Sequence, residues 1–142
     1  MMNYVVAVVV MVLTLGVAAC GGTGDDSPQA SQANICGAIR GVRADVNQIR
    51  RSASSDNRDT LAKTAAATND DIGNLSRSVD NRGKQDVEDL NQAFEGLSPN
   101  LTEEELNRLG GVGLTESLAG GLAAMEGALG ALTNDYQCGN AS

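Results

Sequence analysis

Apolar residues recur at alternating spacings of four and three along two stretches of the chain. Residues 34–54 show one such stripe, and residues 57–80 repeat it with smaller side chains in the middle. This spacing places apolar side chains on one face of an α-helix. The stripes consist of Ile35, Ile39, Val42, Val46 and Ile49 in the first stretch, and of Leu61, Ala65, Thr68, Ile72, Leu75 and Val79 in the second. We therefore expect two amphipathic helices with a polar break between them.

Residues 84–109 predict a third helical leg that is bent near Pro99. Its first part has an apolar face formed by Val87, Leu90, Phe94 and Leu97. Thr102 and Glu105 have the spacing of a capping box, in which a threonine side chain satisfies a free backbone N–H at a helix start. We expect a short helix to begin there and to end at Gly110-Gly111, because glycine favours helix ends.

The last segment, residues 113–136, predicts a fourth helix with two unlike faces. One face carries Leu118, Leu122, Met125, Leu129 and Leu132. The opposite face carries Gly120, Ala123, Ala124, Gly127 and Ala131, where a surface helix usually has charged side chains. Each glycine weakens a helix by roughly 1 kcal/mol relative to alanine. Three interpretations remain open: neighbouring helices pack on both faces, the small face docks another chain or a membrane, or the segment is partly disordered.

An uncharged apolar run precedes the first cysteine. Residues 4–19 carry no charge, and Val17-Ala18-Ala19-Cys20 joins a hydrophobic residue, two small residues and a cysteine. This resembles the lipobox of bacterial prolipoproteins, and the resemblance covers only about the first twenty residues. It implies a signal peptide over residues 1–19, a lipid anchor on Cys20 and export to the extracytoplasmic face of the cell membrane. An uncleaved membrane anchor and plain secretion are the alternatives.

The remaining cysteines suggest how the exported part is closed. Residues 21–33 are small and polar and predict a flexible tether. With Cys20 lipidated, Cys36 and Cys138 form an even pair, for which we expect a disulfide in an oxidising compartment; two free thiols are the alternative. In an up-down bundle of four helices, the first helix begins at the end where the last one finishes. We therefore expect residues 34–142 to form an all-α, four-helix up-down bundle closed by one disulfide.

Composition argues against several classes of function. The net charge of −8 is the opposite of what a nucleic-acid-binding surface needs. The chain has no histidine, so the usual base for a serine nucleophile is missing. Acidic clusters at Asp70-Asp71, at residues 86–89 and at residues 103–105 are interpreted as solvated helix faces or caps, because adjacent helical residues point apart. We expect no catalysis, no cofactor, no metal site and no nucleic-acid partner.

These observations favour a membrane-anchored exported lipoprotein that acts as a non-catalytic binding module in the cell envelope. Its partner would be the membrane, reached through the anchor, together with another protein or a second copy of the chain. The first-choice interaction face consists of Gly120, Ala124, Gly127 and Ala131, and the second choice is a basic face of Arg40, Arg43, Arg50 and Arg51. The alternative is a small-ligand or lipid carrier, with an apolar cavity beside Ala65, Thr68 and the glycines of the last helix.

Overall fold

The computed structural model describes residues 28–109 and 111–139, with side chains for residues 32–109 and 113–139. Five α-helices and one short 3₁₀ turn form this part of the chain, which contains no β-strand. The helices are α1 (Pro28–Ser54), α2 (Arg58–Ser78), α3 (Lys84–Leu97), α4 (Glu103–Arg108) and α5 (Gly111–Asp135). The predicted all-α class is confirmed. The predicted signal peptide, the lipidated Cys20 and residues 21–27 of the predicted tether lie outside the described residues.

The first helix starts earlier than its apolar stripe. α1 begins at Pro28, so residues 28–33 are helical and do not belong to a flexible tether as predicted. Proline suits the first position of a helix because its φ angle is already helical and its missing N–H would have no partner there. One turn further on, the Gln32 side chain donates a hydrogen bond to the Tyr136 carbonyl oxygen at 2.6 Å. This bond joins the start of α1 to the end of α5.

The predicted bend of the third leg near Pro99 is instead a break between two helices. α3 ends at Leu97, and the 3₁₀ turn Ser98–Leu101 follows. Proline has no N–H to continue the helical ladder. Thr102 then caps α4, because its hydroxyl accepts a hydrogen bond from the Glu105 N–H at 3.3 Å. The Glu105 carboxylate binds Arg108, so only the forward half of the expected capping box forms.

The predicted apolar stripes form the core. All five stripe residues of α1 are at most 3% exposed, and the residues of the leucine face of α5 are at most 4% exposed. α1 packs against α2 and α5, while α3 packs against α5 and, less extensively, against α2. The 3₁₀ turn and α4 pack against α2. Burial of each large aliphatic side chain contributes about 1.5–3 kcal/mol, so these stripes supply the main stabilisation of the fold.

The end of α5 places the second cysteine beside the first helix. Gln137 adopts a left-handed backbone conformation with a φ of 51°. Its N–H donates to the Asn134 carbonyl at 3.1 Å, and the Cys138 N–H donates to the Thr133 carbonyl at 2.9 Å, which is a Schellman ending. The predicted Cys36–Cys138 disulfide is confirmed, with 5.3 Å between the two Cα atoms.

Candidate interaction surface

One side of α5 faces away from the core and carries mostly small residues, with Glu116 and Glu126 as its charged side chains. We call it the outer face of α5; it consists of Ala119, Gly120, Ala123, Ala124 and Gly127, which are exposed, and Ala131, which is half-buried. Of the four residues predicted for the first-choice interaction face, three are therefore exposed and the fourth is partly exposed. No helix in the described part of the chain covers them, so close packing on both sides of α5 does not occur here.

The glycines of α5 fall into two groups with different surroundings. A Cβ atom added at Gly120 or Gly127 would meet no heavy atom within 4 Å. A Cβ atom added at Gly121 would overlap the side chain of Leu97, which is only 1% exposed. Gly121 therefore allows α3 and α5 to approach each other closely, whereas Gly120 and Gly127 leave open space above the outer face.

The predicted basic face of α1 borders α5 and is partly used by the fold. Arg43 donates hydrogen bonds to the Leu129 carbonyl oxygen at 3.3 Å and to the Thr133 hydroxyl at 2.8 Å. Arg50 forms an ion pair with Glu126 at 2.7 Å, and both side chains are nearly half exposed. The other two arginines do not reach α5 through any bond seen here: Arg40 is exposed, and Arg51 bonds to its own helix. Two of the four arginines thus fasten α1 to α5.

A cluster around Tyr136 closes the disulfide end of the molecule. The Tyr136 hydroxyl donates to Asp80 Oδ1 at 2.8 Å, and the Arg82 guanidinium lies 5.1 Å from the centre of the tyrosine ring. Bonds from Arg82, and then from Tyr136, lower the pKa of Asp80. Burial is the main cause that raises the pKa of Tyr136. Gly83 lies under the ring, where an added Cβ would be 2.7 Å from the hydroxyl oxygen. The bond between Tyr136 and Asp80 joins residues 56 positions apart in the sequence, so no local pattern predicts it.

The acidic clusters lie on separate helices. Asp70 and Asp71 are on α2, residues 86–89 are on α3, and residues 103–105 form the first turn of α4. In the described part of the chain, no group of three or more acidic, histidine or cysteine side chains has the geometry to hold a metal ion. Likewise, none of the described helices combines the length and the apolar character that a membrane span requires.

The geometry defines a class of protein: a small all-helical domain, closed by a disulfide, with one exposed helix face of small residues. No protein-family model matches the chain, and neither a curated protein nor a solved structure matches it.

Proposed function

We propose that this chain is an exported, lipid-anchored, non-catalytic binding module of the cell envelope. It contacts another macromolecule through the outer face of α5. The observation that carries the proposal is the solvent exposure of Gly120, Ala124 and Gly127. A Cβ atom added at either glycine would meet no heavy atom within 4 Å. Small residues allow another backbone to approach closely, and alanine in place of either exposed glycine would strengthen the helix. A partner that packs against the helix backbone accounts for a face of this kind.

The proposal includes an up-down arrangement of the four longer helices. Its support is the disulfide between the start of α1 and the end of α5, together with the packing of α1 against both α2 and α5. Only residues 55–57 connect α1 to α2, and connections this short favour antiparallel neighbours. In this arrangement, α5 occupies one corner of the bundle and presents its outer face along most of its length.

The proposed anchor rests on the lipobox-like residues that end at Cys20. Seven residues, 21–27, separate Cys20 from the start of α1. Since an extended chain spans at most about 3.6 Å per residue, and eight residue steps lead from Cys20 to Pro28, a lipid on Cys20 would hold this end of the molecule within about 29 Å of the membrane. Intact mass of the protein from its native membrane tests this step: a diacylglyceryl group on Cys20 is expected, and an unmodified Cys20 would contradict the anchor.

The binding step is tested by the Gly127→Glu substitution in the full chain, with association in the envelope measured by chemical cross-linking. Open space above Gly127 leaves room for the new side chain, so we expect an unchanged circular dichroism spectrum and lost association. Gly37→Glu is the matched control, because Gly37 is also exposed on a helix with nothing within 4 Å of its Cβ position. Association that survives Gly127→Glu, or that is lost equally in the control, would contradict the proposal.

The carrier alternative relied on free volume beside Thr68 and the glycines of α5. Thr68 is completely buried, and Leu97 occupies the space over Gly121. One groove in the described part of the chain lies between α2 and α3, has a volume of about 380 Å³ and is open to solvent. Ile72 and Val87 form part of its apolar lining. The groove lies away from the outer face of α5, so the two functions would respond to different substitutions.

A further inference from the structure

The groove between α2 and α3 lies where two neighbouring long helices are packed less closely than the others. α2 packs extensively on α1 and α3 on α5, whereas the contact between α2 and α3 is smaller. The space left between them measures about 380 Å³. It is bordered by residues between 72 and 79 on one side and by residues between 84 and 91 on the other, which is about 10 Å along each helix. The groove is therefore elongated and parallel to the two helices.

The floor of the groove is apolar. Ile72 and Val79 border it from the α2 side and Val87 from the α3 side, and all three belong to the hydrophobic core. Gly73 keeps the groove open, because a Cβ atom added there would meet only Nη1 of Arg77, at 3.7 Å, beyond the neighbouring backbone. Ligand pockets usually have volumes of about 300–1,000 Å³, with an apolar lining and a few polar groups. This groove has the length and the floor that suit an acyl chain of medium length.

The charged groups at the rim of the groove favour an anion. Lys84 lines the groove at the start of α3, and the Arg77 guanidinium lies beside Gly73 on the α2 side. Arg77 donates a hydrogen bond to the side-chain oxygen of Asn74, but neither cation has a carboxylate partner among the described residues. Among the residues that line the groove, Glu88 is the one with an acidic side chain. The rim is thus positive on balance, in a chain whose net charge is −8.

We propose that the groove between α2 and α3 binds a medium-chain fatty acid, with its tail on the apolar floor and its carboxylate beside Lys84 and Arg77. Each methylene group that leaves water for the floor raises the affinity by up to about fourfold. An exposed ion pair with Lys84 raises it by up to about fivefold and fixes the direction of the chain. The groove is separate from the outer face of α5, so this site does not depend on the proposed contact at that face.

The test is photolabelling of the full chain in its native membrane with decanoic acid that carries a diazirine group at the end of its tail. The carboxyl group is kept ionised, and peptide mass spectrometry locates the label after irradiation. We expect the label near Ile72 and Asn91, at the end of the groove away from Lys84, and we expect excess unlabelled decanoate to displace it. A label on α5 instead, or one that decanoate does not displace, would overturn the proposal.

Matched substitutions separate a built site from simple partitioning of the probe into the membrane. Gly73→Leu fills the groove from α2 and should abolish the labelling, whereas Gly37→Leu, at an exposed helical glycine with open space around it, should not. Lys84→Gln should weaken the labelling by up to about fivefold. Lys63→Gln makes the same change at an exposed lysine of α2 outside this groove and should have no effect. Glu88→Gln removes the negative charge from the rim and should strengthen the labelling.

The opposite signs expected for Lys84→Gln and Glu88→Gln are a result that damage to the fold cannot imitate. Circular dichroism of each variant checks that its helix content is that of wild type. Labelling that persists in a folded Gly73→Leu variant, or that decreases in Glu88→Gln, would contradict the proposal. If Gly73→Leu does not fold, the matching diazirine alcohol decides, because it has the same tail without the charge. The alcohol should label the groove more weakly, and equal labelling by acid and alcohol would refute the assignment of an anionic ligand.

Discussion

Two adjacent glycines of α5 should respond in opposite directions to the same substitution. Gly120 points to solvent, and a Cβ atom there meets nothing within 4 Å. At Gly121 the new Cβ would overlap Cγ and one Cδ atom of Leu97, and it would lie 3.2 Å from the other Cδ atom. Carbon atoms in contact normally sit about 3.5–4.0 Å apart, so Leu97 or the whole of α3 must move by roughly 1 Å.

The expected magnitudes follow from two effects. Replacement of a helical glycine by alanine stabilises by roughly 1 kcal/mol at either position. Overpacking of a filled core costs about 1–3 kcal/mol, and Leu97 has little room to yield because it is only 1% exposed. Gly120→Ala should therefore stabilise by up to about 1 kcal/mol. Gly121→Ala should be less stable than Gly120→Ala by the overpacking cost itself, about 1–3 kcal/mol.

Urea unfolding of both variants, monitored by circular dichroism with the disulfide oxidised, measures this difference directly. The Leu97→Ala background supplies the control. Leu97→Ala is itself destabilising, but it removes the atoms that oppose a new Cβ at Gly121. In that background Gly121→Ala should stabilise as Gly120→Ala does. If Gly121→Ala stabilises the wild-type chain as much as Gly120→Ala, then α3 and α5 do not meet closely at this point and the reasoning is refuted.

Three further predictions concern the disulfide end of the molecule. Replacement of both Cys36 and Cys138 by serine should lower the free energy of unfolding by up to about 4.7 kcal/mol, which is the chain-entropy value for a loop of about 100 residues. Urea unfolding measures this loss of stability. An unchanged urea midpoint would contradict a stabilising role of the disulfide. Tyr136→Phe should cost about 1 kcal/mol at pH 7 through the lost bond to Asp80. Because the pKa of Asp80 is lowered in the fold, its contribution is present at neutral pH and lost as pH falls below the ordinary aspartate range. The thermal unfolding temperatures of Tyr136→Phe and wild type should accordingly converge only in strong acid, where Asp80 is protonated in the folded chain as well. Gln137→Gly should stabilise the fold by about 1 kcal/mol, because glycine adopts the left-handed conformation of this position without strain. The thermal unfolding temperature of the variant measures this effect. A temperature below that of wild type would show that contacts of the glutamine side chain stabilise the fold more than its backbone strains it.

The helices with a regular apolar stripe could be predicted from the sequence, because the residues that recur at helical spacing are the ones that become buried in the core. Ile35 to Ile49 repeat at helical spacing, and all five stripe residues are buried in α1. The predicted start of α1 was wrong by six residues. Residues 28–33 add no residue to the apolar stripe, which begins at Ile35, and only Pro28 indicates a helix start. The Cys36–Cys138 bridge could be predicted because cysteine number and helix number led to the same pairing.

Contacts between helices were harder to predict, because side chains of the same type bond to different partners. Arg43 and Arg50 occur in the same pattern as Arg40 and Arg51, yet only the first two bind α5. The burial of Asp45 Oδ2 without a hydrogen-bond partner likewise depends on packing around α1, which no sequence spacing reveals. The break after Leu97 is a similar case, since Pro99 predicts an interruption but not the direction that the chain takes afterwards.

The glycines of α5 show why the outer face is the best candidate for a contact with another molecule. In the sequence, Gly120 falls on the predicted small face and Gly121 does not, but no pattern shows that Gly121 meets Leu97. In the fold, Gly121 is required, because any side chain there would strike Leu97. Gly120 and Gly127 are not required by any contact in the described part of the chain, and each leaves the helix about 1 kcal/mol weaker than alanine would. The internal packing of the molecule thus accounts for one glycine and leaves the exposed ones unexplained, whereas a partner packed against the outer face of α5 would account for both.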